Sequence, residues 1–294
     1  MLINRTNLNI RSATNFDRHR IANLIHFGSH VHQHLDWMSP LDWIGKEPYL
    51  VMDNIEGLLA TFACPPDLPE ITWIRLFAVS SKIRADEAWR LLWEQCLDGL
   101  RSRGKIQVTA LSMQKWFSEI LEGSNFKHTD NVIVLITELT DKFLDLPPKS
   151  IKIRQMLFED LPVVHHIDHA AFSKEWRNSR EALENAFHQS SYPTVAEVGN
   201  EIVGYQYSTC SGMGGHLARL AVKERMQRRG IGYSLVQDVI LHFLQNDIKN
   251  VSVNTQESNR KSISLYAKAG FKLTGETYRV YQYLLRNEVK SDSH

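Results

Sequence analysis

The chain has 294 residues, 43% hydrophobic and 23% charged, ordinary values for a globular protein and enough for two domains of common size. Its 34 Lys and Arg against 33 Asp and Glu leave a formal charge of +1, so no global field favours nucleic acid or an anionic membrane. No run of about 18 apolar residues exists to span a bilayer, and the first residues lack the apolar core of a signal peptide, which predicts a cytoplasmic chain. Cys64, Cys96 and Cys210 stand far apart without CxxC spacing, so each reads as core filler, with no disulfide framework and no metal site expected.

In chain order the predicted elements repeat. Ile10-Arg11 followed by Asp17 has the layout of Ile153-Arg154 followed by Asp160, a shift of 143 residues. Pro48 and Pro193 each open an apolar run that turns at DNIEG or GNEIVG and continues strand-like to Cys64 or Cys210. LFAV ending at Val79 matches RLAV ending at Val222, again 143 residues on, and Asn125-Phe126-Lys127 matches Gly270-Phe271-Lys272. Near-constant offsets predict two copies of one unit, each running strand, helix, strands, long helix, strand, short helix, strand, an α/β pattern with a mixed sheet. The stretch Thr140 to Ser150, with two prolines and no clear apolar period, divides them into expected domains 1–145 and 150–294.

In the first half, HFGSHVHQH brings His26, His30, His32 and His34 within nine residues. His26 and His30, four apart, could share a helical face as metal ligands, but Gly28 weakens that helix, and solvated loop histidines are the favoured reading. His165, His166 and His169 in the second half are read the same way. Trp37 and Trp43 in the first half have a counterpart in AAFSKEW, where Phe172 and Trp176 either wall a pocket or fill the core.

In the second half, His216 to Val222 reads as a buried strand, and Leu235, Val239, Ile240 and Phe243 as a helical stripe. QRRGIG, Gln227 to Gly232, is then a strand-to-helix turn. The first amides of a helix lack internal partners and, with the helix dipole, form an anion site. Gly230 and Gly232 remove Cβ atoms, so a pyrophosphate can approach the backbone, and Arg228 or Arg229 adds charge-assisted bonds of roughly 1.5 to 3 kcal/mol each. The spacing fits neither a Walker P-loop nor a Rossmann turn.

Gln227-x-x-Gly230-x-Gly232, five residues after Val222, resembles motif A of the GNAT acetyltransferase superfamily. Asn259, Leu265-Tyr266 and Gly270-Phe271 resemble its motif B, and the two together cover roughly Lys152 to Leu285. The resemblance implies two tandem GNAT-like domains, each a mixed, mostly antiparallel sheet flanked by helices. It implies that the second transfers acetyl from acetyl-CoA to a primary amine of a small molecule or peptide by direct attack. Leu220, Ala221 and Val222 would then offer backbone groups to the pantetheine arm where two strands splay. Gln227, Arg228, Arg229, Gly230, Ile231, Gly232 and Tyr233 would hold the diphosphate, Asn259 would bond the arm or cap a helix, and Tyr266 would protonate the leaving thiolate. Phe172 and Trp176 would border the acceptor.

His216, six residues before Val222 and expected on the same strand face by period two, matches a position where one branch of the family carries a glutamate base. Glu257, Tyr207 and a water chain are the alternatives. Arg219 is expected on the opposite face, paired with an acid. Rival readings are an acyltransferase for longer acyl-CoA and an acyl-CoA sensor or scaffold without turnover.

The first half lacks these features. Aligning Val79 with Val222 sets Arg84, Glu87 and Trp89 against Gln227, Gly230 and Gly232, so a carboxylate and an indole are expected where the diphosphate would sit. Leu121 stands opposite Tyr266. This half is expected to keep the fold without the cofactor loop.

Overall fold

The computed structural model describes residues 8–101, 103–104, 106–139 and 150–285; of the expected divider, residues 140–149 lie outside these. The described residues form two compact units that part at Thr129/Asp130 and at Tyr278/Arg279.

The first unit runs β1 (Asn9–Ser12), α1 (Arg18–Phe27), β2 (His30–Gln33), β3 (Tyr49–Asn54), β4 (Gly57–Ala63), β5 (Pro66–Leu68), β6 (Ile71–Trp73), β7 (Leu76–Val79), α2 (Ala85–Arg101), β8 (Ile106–Ser112), α3 (Lys115–Gly123) and the start of β9 (Lys127–Glu138). Its strands β1, β3, β4, β7 and β2 form an antiparallel sheet in that order, and β6 runs parallel to β8. The second unit runs β10 (Lys152–Gln155), α4 (Leu161–Ala171), α5 (Arg180–Gln189), β11 (Thr194–Val198), β12 (Glu201–Ser211), β13 (Gly214–Val222), α6 (Ile231–Gln245), β14 (Asn250–Gln256), α7 (Arg260–Lys268) and most of β15 (Lys272–Leu285). Here β10 to β13 are antiparallel neighbours, β13 is parallel to β14, and β14 is antiparallel to residues 132–138 of β9.

The limits of the units differ from a single cut in the divider. β9 ends by pairing with β14 in the second unit, and β15 ends by pairing with β8 in the first. Each unit therefore completes its sheet with the last strand of the other sequence half. An alternating apolar pattern reads the same whichever sheet edge the strand joins, so periodicity leaves this choice open.

The repeat has a physical cause. Arg11 donates to both oxygens of Asp17 at 2.7 and 2.8 Å, and Arg154 to both of Asp160 at 2.6 and 3.0 Å. Each arginine also reaches a second carboxylate, Asp53 at 3.2 Å or Glu197 at 2.6 Å. Each aspartate in turn accepts a backbone N–H at the helix entry, from Thr14 at 3.0 Å or Leu157 at 2.8 Å. The fork locks the first strand to the first helix, and the Arg11 bonds hold the Asp17 carboxyl below the usual carboxylate range.

In the first unit, Trp89, Leu92, Trp93 and Cys96 of α2 pack on Phe62 and Phe77. In the second, Val236, Val239, Ile240 and Phe243 of α6 pack on Leu217, Val251 and Val253. Cys64 and Cys96 are buried as expected of filler, whereas Cys210, near the end of β12, is exposed.

The histidine-rich stretch is no solvated loop. His30 to Gln33 form β2, His32 is buried and stacks on Phe117 at 4.0 Å, and its Nε2 lies 3.2 Å from the Ile74 carbonyl. His34 stacks on Trp73, and only His26, at the end of α1, is exposed as expected. In α4, His165 and His169 are half-buried with ring centroids 4.1 Å apart, leaving His166 exposed. Alternating burial in an extended segment, where aromatic rings offer stacking faces, overrides the polarity on which the loop reading rested.

Candidate functional site

The centre of the second unit is a split between two parallel strands. β13 pairs with β14 only at Gly215, His216 and Leu217; beyond them β14 stays paired with β9 while β13 follows β12. The register of β12 on β13 slips by one between Tyr207↔Arg219 and Ser208↔Leu217, which makes Ala218 a bulged residue. A bulge adds local twist, and here it turns the end of β13 away from β14.

The backbone of that end can be assigned by alternation. Lys223 N–H donates to the Val203 carbonyl of β12 at 2.8 Å, so the Ala221 polar groups face β12 and those of Leu220 and Val222 face the split. Of the three strand residues expected to bind, Leu220 and Val222 are thus turned to the open edge and Ala221 is not. The Val222 carbonyl accepts a 3.2 Å bond from the Gln227 side-chain amide, whose oxygen accepts from Lys261 Nζ at 3.4 Å.

After the strand, Lys223 to Gly230 lead into α6. Arg228 at φ +63° and Gly230 at φ +82° both adopt the left-handed conformation, which curls successive amides toward one side. The N–H groups of Arg228, Arg229, Gly230, Ile231 and Gly232 donate to no acceptor among the described residues, and the first helical bond is Ser234 N–H to the Gly230 carbonyl at 2.9 Å. A Cβ on Gly230 would meet no protein atom within 4 Å, so the φ angle is what requires glycine there. A Cβ on Gly232 would press on Leu265 at 3.3 Å, so that glycine serves the close approach of α6 and α7. Arg228 and Arg229 are exposed, Lys268 Nζ lies 4.7 Å from the Tyr233 ring centroid, and Lys261 joins the same loop through Gln227. Lys261 and Lys268 are cations that motif matching passes over.

On α7, Asn259 is the helix cap, its side chain accepting the Ser262 N–H at 3.1 Å. Tyr266 is buried against Phe271, with ring centroids 5.7 Å apart, and its hydroxyl has no partner among the described residues. Burial pushes its phenol pKa up, so it stays protonated at neutral pH.

The bulge corrects the expected strand faces. Leu217, Leu220 and Val222 pack toward α6, whereas Arg219 and His216 share the opposite face with Tyr207 and Thr209, their cross-strand partners. Counting by twos through the bulge had placed His216 with Val222 and opposite Arg219. His216 Nδ1 shares a 2.9 Å hydrogen bond with Ser252 Oγ, and burial lowers its pKa, leaving a neutral imidazole. Tyr207 is ill-suited as a base: its hydroxyl donates to the Leu183 carbonyl at 3.3 Å, and burial pushes its pKa up. Glu257 is exposed and accepts from Asn131 Nδ2 at 2.7 Å.

Arg219 does pair with an acid. Its Nε donates to Asp168 Oδ2 of α4 at 2.6 Å, its Nη2 to the Trp176 carbonyl at 2.6 Å, and its guanidinium lies 3.8 Å from the Phe172 ring centroid. Phe172 and Trp176 are half-buried. Asp168 escaped the sequence reading, although its place on the buried stripe Leu161, Val164, Ile167 of α4 was a signal: a buried carboxylate needs a partner.

The first unit departs from this plan. Ser80 to Arg84, five residues, join β7 to α2, where Lys223 to Gly230, eight residues, join β13 to α6. The expected one-to-one alignment therefore slips by three. Trp89 faces the core, where its indole donates to Ser124 Oγ at 2.7 Å, and does not stand opposite Gly232 as expected. Asp86 and Glu87 do occupy the first turn of α2, and Leu121 lies in the core.

Residues 159–282 match the family model of a GNAT acetyltransferase domain. N-alpha-acetyltransferase 30 of Xenopus laevis is 33% identical over 67 residues, 23% of this chain and 24% of that protein; for the Homo sapiens protein the same identity covers 18% of its length. The match thus spans about a quarter or less of these relatives. Among solved structures, a tandem GNAT protein from the clavulanic acid biosynthesis pathway has a TM-score of 0.65 at 12% identity, covering 94% of this chain and 98% of its own. A GCN5-related N-acetyltransferase from Sphaerobacter thermophilus has a TM-score of 0.64 at 17% identity, covering 97% and 98%. Among the described residues, no helix is long and apolar enough to cross a membrane, and no group of His, Cys, Asp and Glu is arranged to hold a metal ion. Residues 159–282 are a GNAT acetyltransferase domain, carried in a chain with the tandem GNAT fold.

Proposed function

We propose that the second unit transfers acetyl from acetyl-CoA to a primary amine by direct attack. One observation carries this reading: an open β13 edge, a run of five uncommitted amides at the head of α6 and a buried tyrosine, Tyr266, whose hydroxyl has no hydrogen-bond partner among the described residues occur in one unit. These features suit the parts of acetyl-CoA in order. The amides of Arg228 to Gly232, with the Arg228 and Arg229 guanidinium groups, would hold the diphosphate. Leu220 and Val222 would bond the pantetheine amides as a missing strand would, and Gln227 would release the Val222 carbonyl to do so.

Acetyl-CoA supplies an activated acetyl thioester, so the residues must position the amine, keep it deprotonated and protonate the departing sulfur. Leu217, Val251 and Val253 fill the α6 side of the split, so the amine approaches from the face that holds His216. His216 is neutral and bonded to Ser252, which leaves Nε2 to accept a proton, directly or through water. Tyr266 stays protonated and donates to the thiolate; its raised pKa makes the transfer uphill in isolation, so its contribution is modest, about tenfold.

The relatives' name, N-alpha-acetyltransferase, supports including peptide α-amines among the acceptors tested. The test is calorimetry with acetyl-CoA and longer acyl-CoA, followed by release of free thiol against a panel of free N-terminal peptides, polyamines and amino sugars. Acceptor-dependent thiol release supports transfer. Binding without release across the panel points to a sensor, and no binding overturns both readings.

A further inference from the structure

The segment between α4 and α5 contains a single short 3-10 turn, Lys174–Trp176, and no strand. One buried guanidinium gives it shape. Arg219 follows the Ala218 bulge, so its side chain enters the α4 face while its backbone neighbours line the open edge. It bonds Asp168 and the Trp176 carbonyl at 2.6 Å each and lies 3.8 Å from the Phe172 ring centroid. Asp168 extends the constraint: Oδ1 accepts the Asn178 N–H at 3.1 Å and Oδ2 accepts the Tyr205 hydroxyl at 2.5 Å. Arg177 Nε closes the segment on the Phe172 carbonyl at 3.1 Å, and His169 Nε2 lies 3.1 Å from the Asn178 carbonyl. A planar fork of five N–H donors can hold a carboxylate and a carbonyl together while stacking on a ring; an ammonium cannot.

We propose that Arg219 is a positioning residue for the acceptor amine, fixing Phe172 and Trp176 as the wall past which the amine reaches His216. The inference rests on the acyl-transfer reading. It follows because Arg219 and His216 share one face of β13, the opposite face is filled by core, and on that side the guanidinium, which also donates to the buried Tyr205 hydroxyl at 3.3 Å, holds the half-buried Phe172 and Trp176. The acyl-CoA contacts assigned above come from the strand edge and the head of α6, which the Arg219 side chain does not touch. Arg219 therefore separates the two substrates: its loss should disturb one and spare the other.

The experiment compares the full-length protein with Arg219→Lys, which keeps a charge for Asp168 and loses the fork, and Phe172→Leu, which leaves the ion pair intact. With the best acceptor of the panel, Arg219→Lys should raise acceptor KM about tenfold while the acetyl-CoA Kd by calorimetry stays within about twofold; Phe172→Leu should show the same split at about threefold. Amide hydrogen exchange over residues 173–178 should quicken in Arg219→Lys. Unchanged exchange, unchanged acceptor KM, or equal weakening of both substrates overturns the proposal. Failure of the parent protein to bind acetyl-CoA is a separate result, visible before any variant is made, and it sinks the acyl-transfer reading itself.

Discussion

Val222 and Val79 hold the same place in the two units and meet different neighbours. Each is followed by a residue whose N–H bonds the neighbouring antiparallel strand at 2.8 Å, Lys223 to Val203 of β12 and Ser80 to Leu59 of β4. Beyond that point the Val222 carbonyl faces the split and accepts one side-chain bond, from Gln227. The Val79 carbonyl instead accepts the Ser29 N–H at 2.8 Å, and β2 runs antiparallel along the whole of β7, from His30↔Val79 to Gln33↔Leu76. The first unit thus fills with its own backbone the edge that the second leaves open. On the proposed reading, in which acetyl-CoA pairs with the open edge, such a groove is closed in two ways, by changing the residues that would hold the ligand or by pairing the edge, and the first unit has both features. Its connecting loop is three residues shorter, and acidic Asp86 and Glu87 stand at the head of its helix.

The comparison can be broken at several points. The largest effect is expected at β2, the strand that covers the β7 edge. Burial lowers the His32 pKa from 6.5 to about 4, so the folded unit keeps the imidazole neutral while the unfolded chain protonates it. Stability is then complete above the unfolded value and falls as pH drops from about 6.5 to about 4, by about 3 kcal/mol. Denaturant melts of the first unit's fluorescence against pH should show this slope, and His32→Leu should reduce it, the remainder coming from His34, whose pKa burial also lowers; a parent profile level across that range would remove the buried-neutral assignment.

Gly230→Glu gives the second unit an acid at the helix head, as in the first, and forces a side chain into φ +82°. Strain and like-charge repulsion together should weaken acetyl-CoA binding about a hundredfold by calorimetry. An unchanged isotherm would leave the amide cradle without a ligand. Tyr266→Phe copies the hydroxyl-free counterpart of α3, and kcat should fall about tenfold with acetyl-CoA affinity kept. Equal losses in both would make Tyr266 a packing residue. The smallest change is expected from His216→Ala, which should displace the acidic limb of the kcat/KM profile; a limb that stays in place points to water or Glu257 as base.

Much of this was legible in the residues. The Arg11–Asp17 and Arg154–Asp160 landmarks are half-buried clamps, and the glycine turn before Ile231 is a set of free amides because a left-handed residue at a helix head has few alternatives. The faces of β13 were misread because one bulged residue, Ala218, reverses every later side chain, and nothing in a local window marks it. The indole of Trp89 was misplaced for a related reason: a three-residue deletion in a loop carries no periodic signature. Asp168 was overlooked because a single polar residue on an apolar helix stripe reads as noise until its arginine is seen across the sheet.

What the sequence determined by itself is whatever short-range chemistry dictates: two copies of one α/β unit, a glycine-bearing strand-to-helix turn in the second, and its absence from the first. The tertiary structure decided which strand completes which sheet, that β2 and not a ligand lies along β7, and that Arg219 joins His216 on one face. These depend on pairing between residues far apart in the chain. Backbone hydrogen-bonding groups are identical at every position, so they carry no label that names their partner.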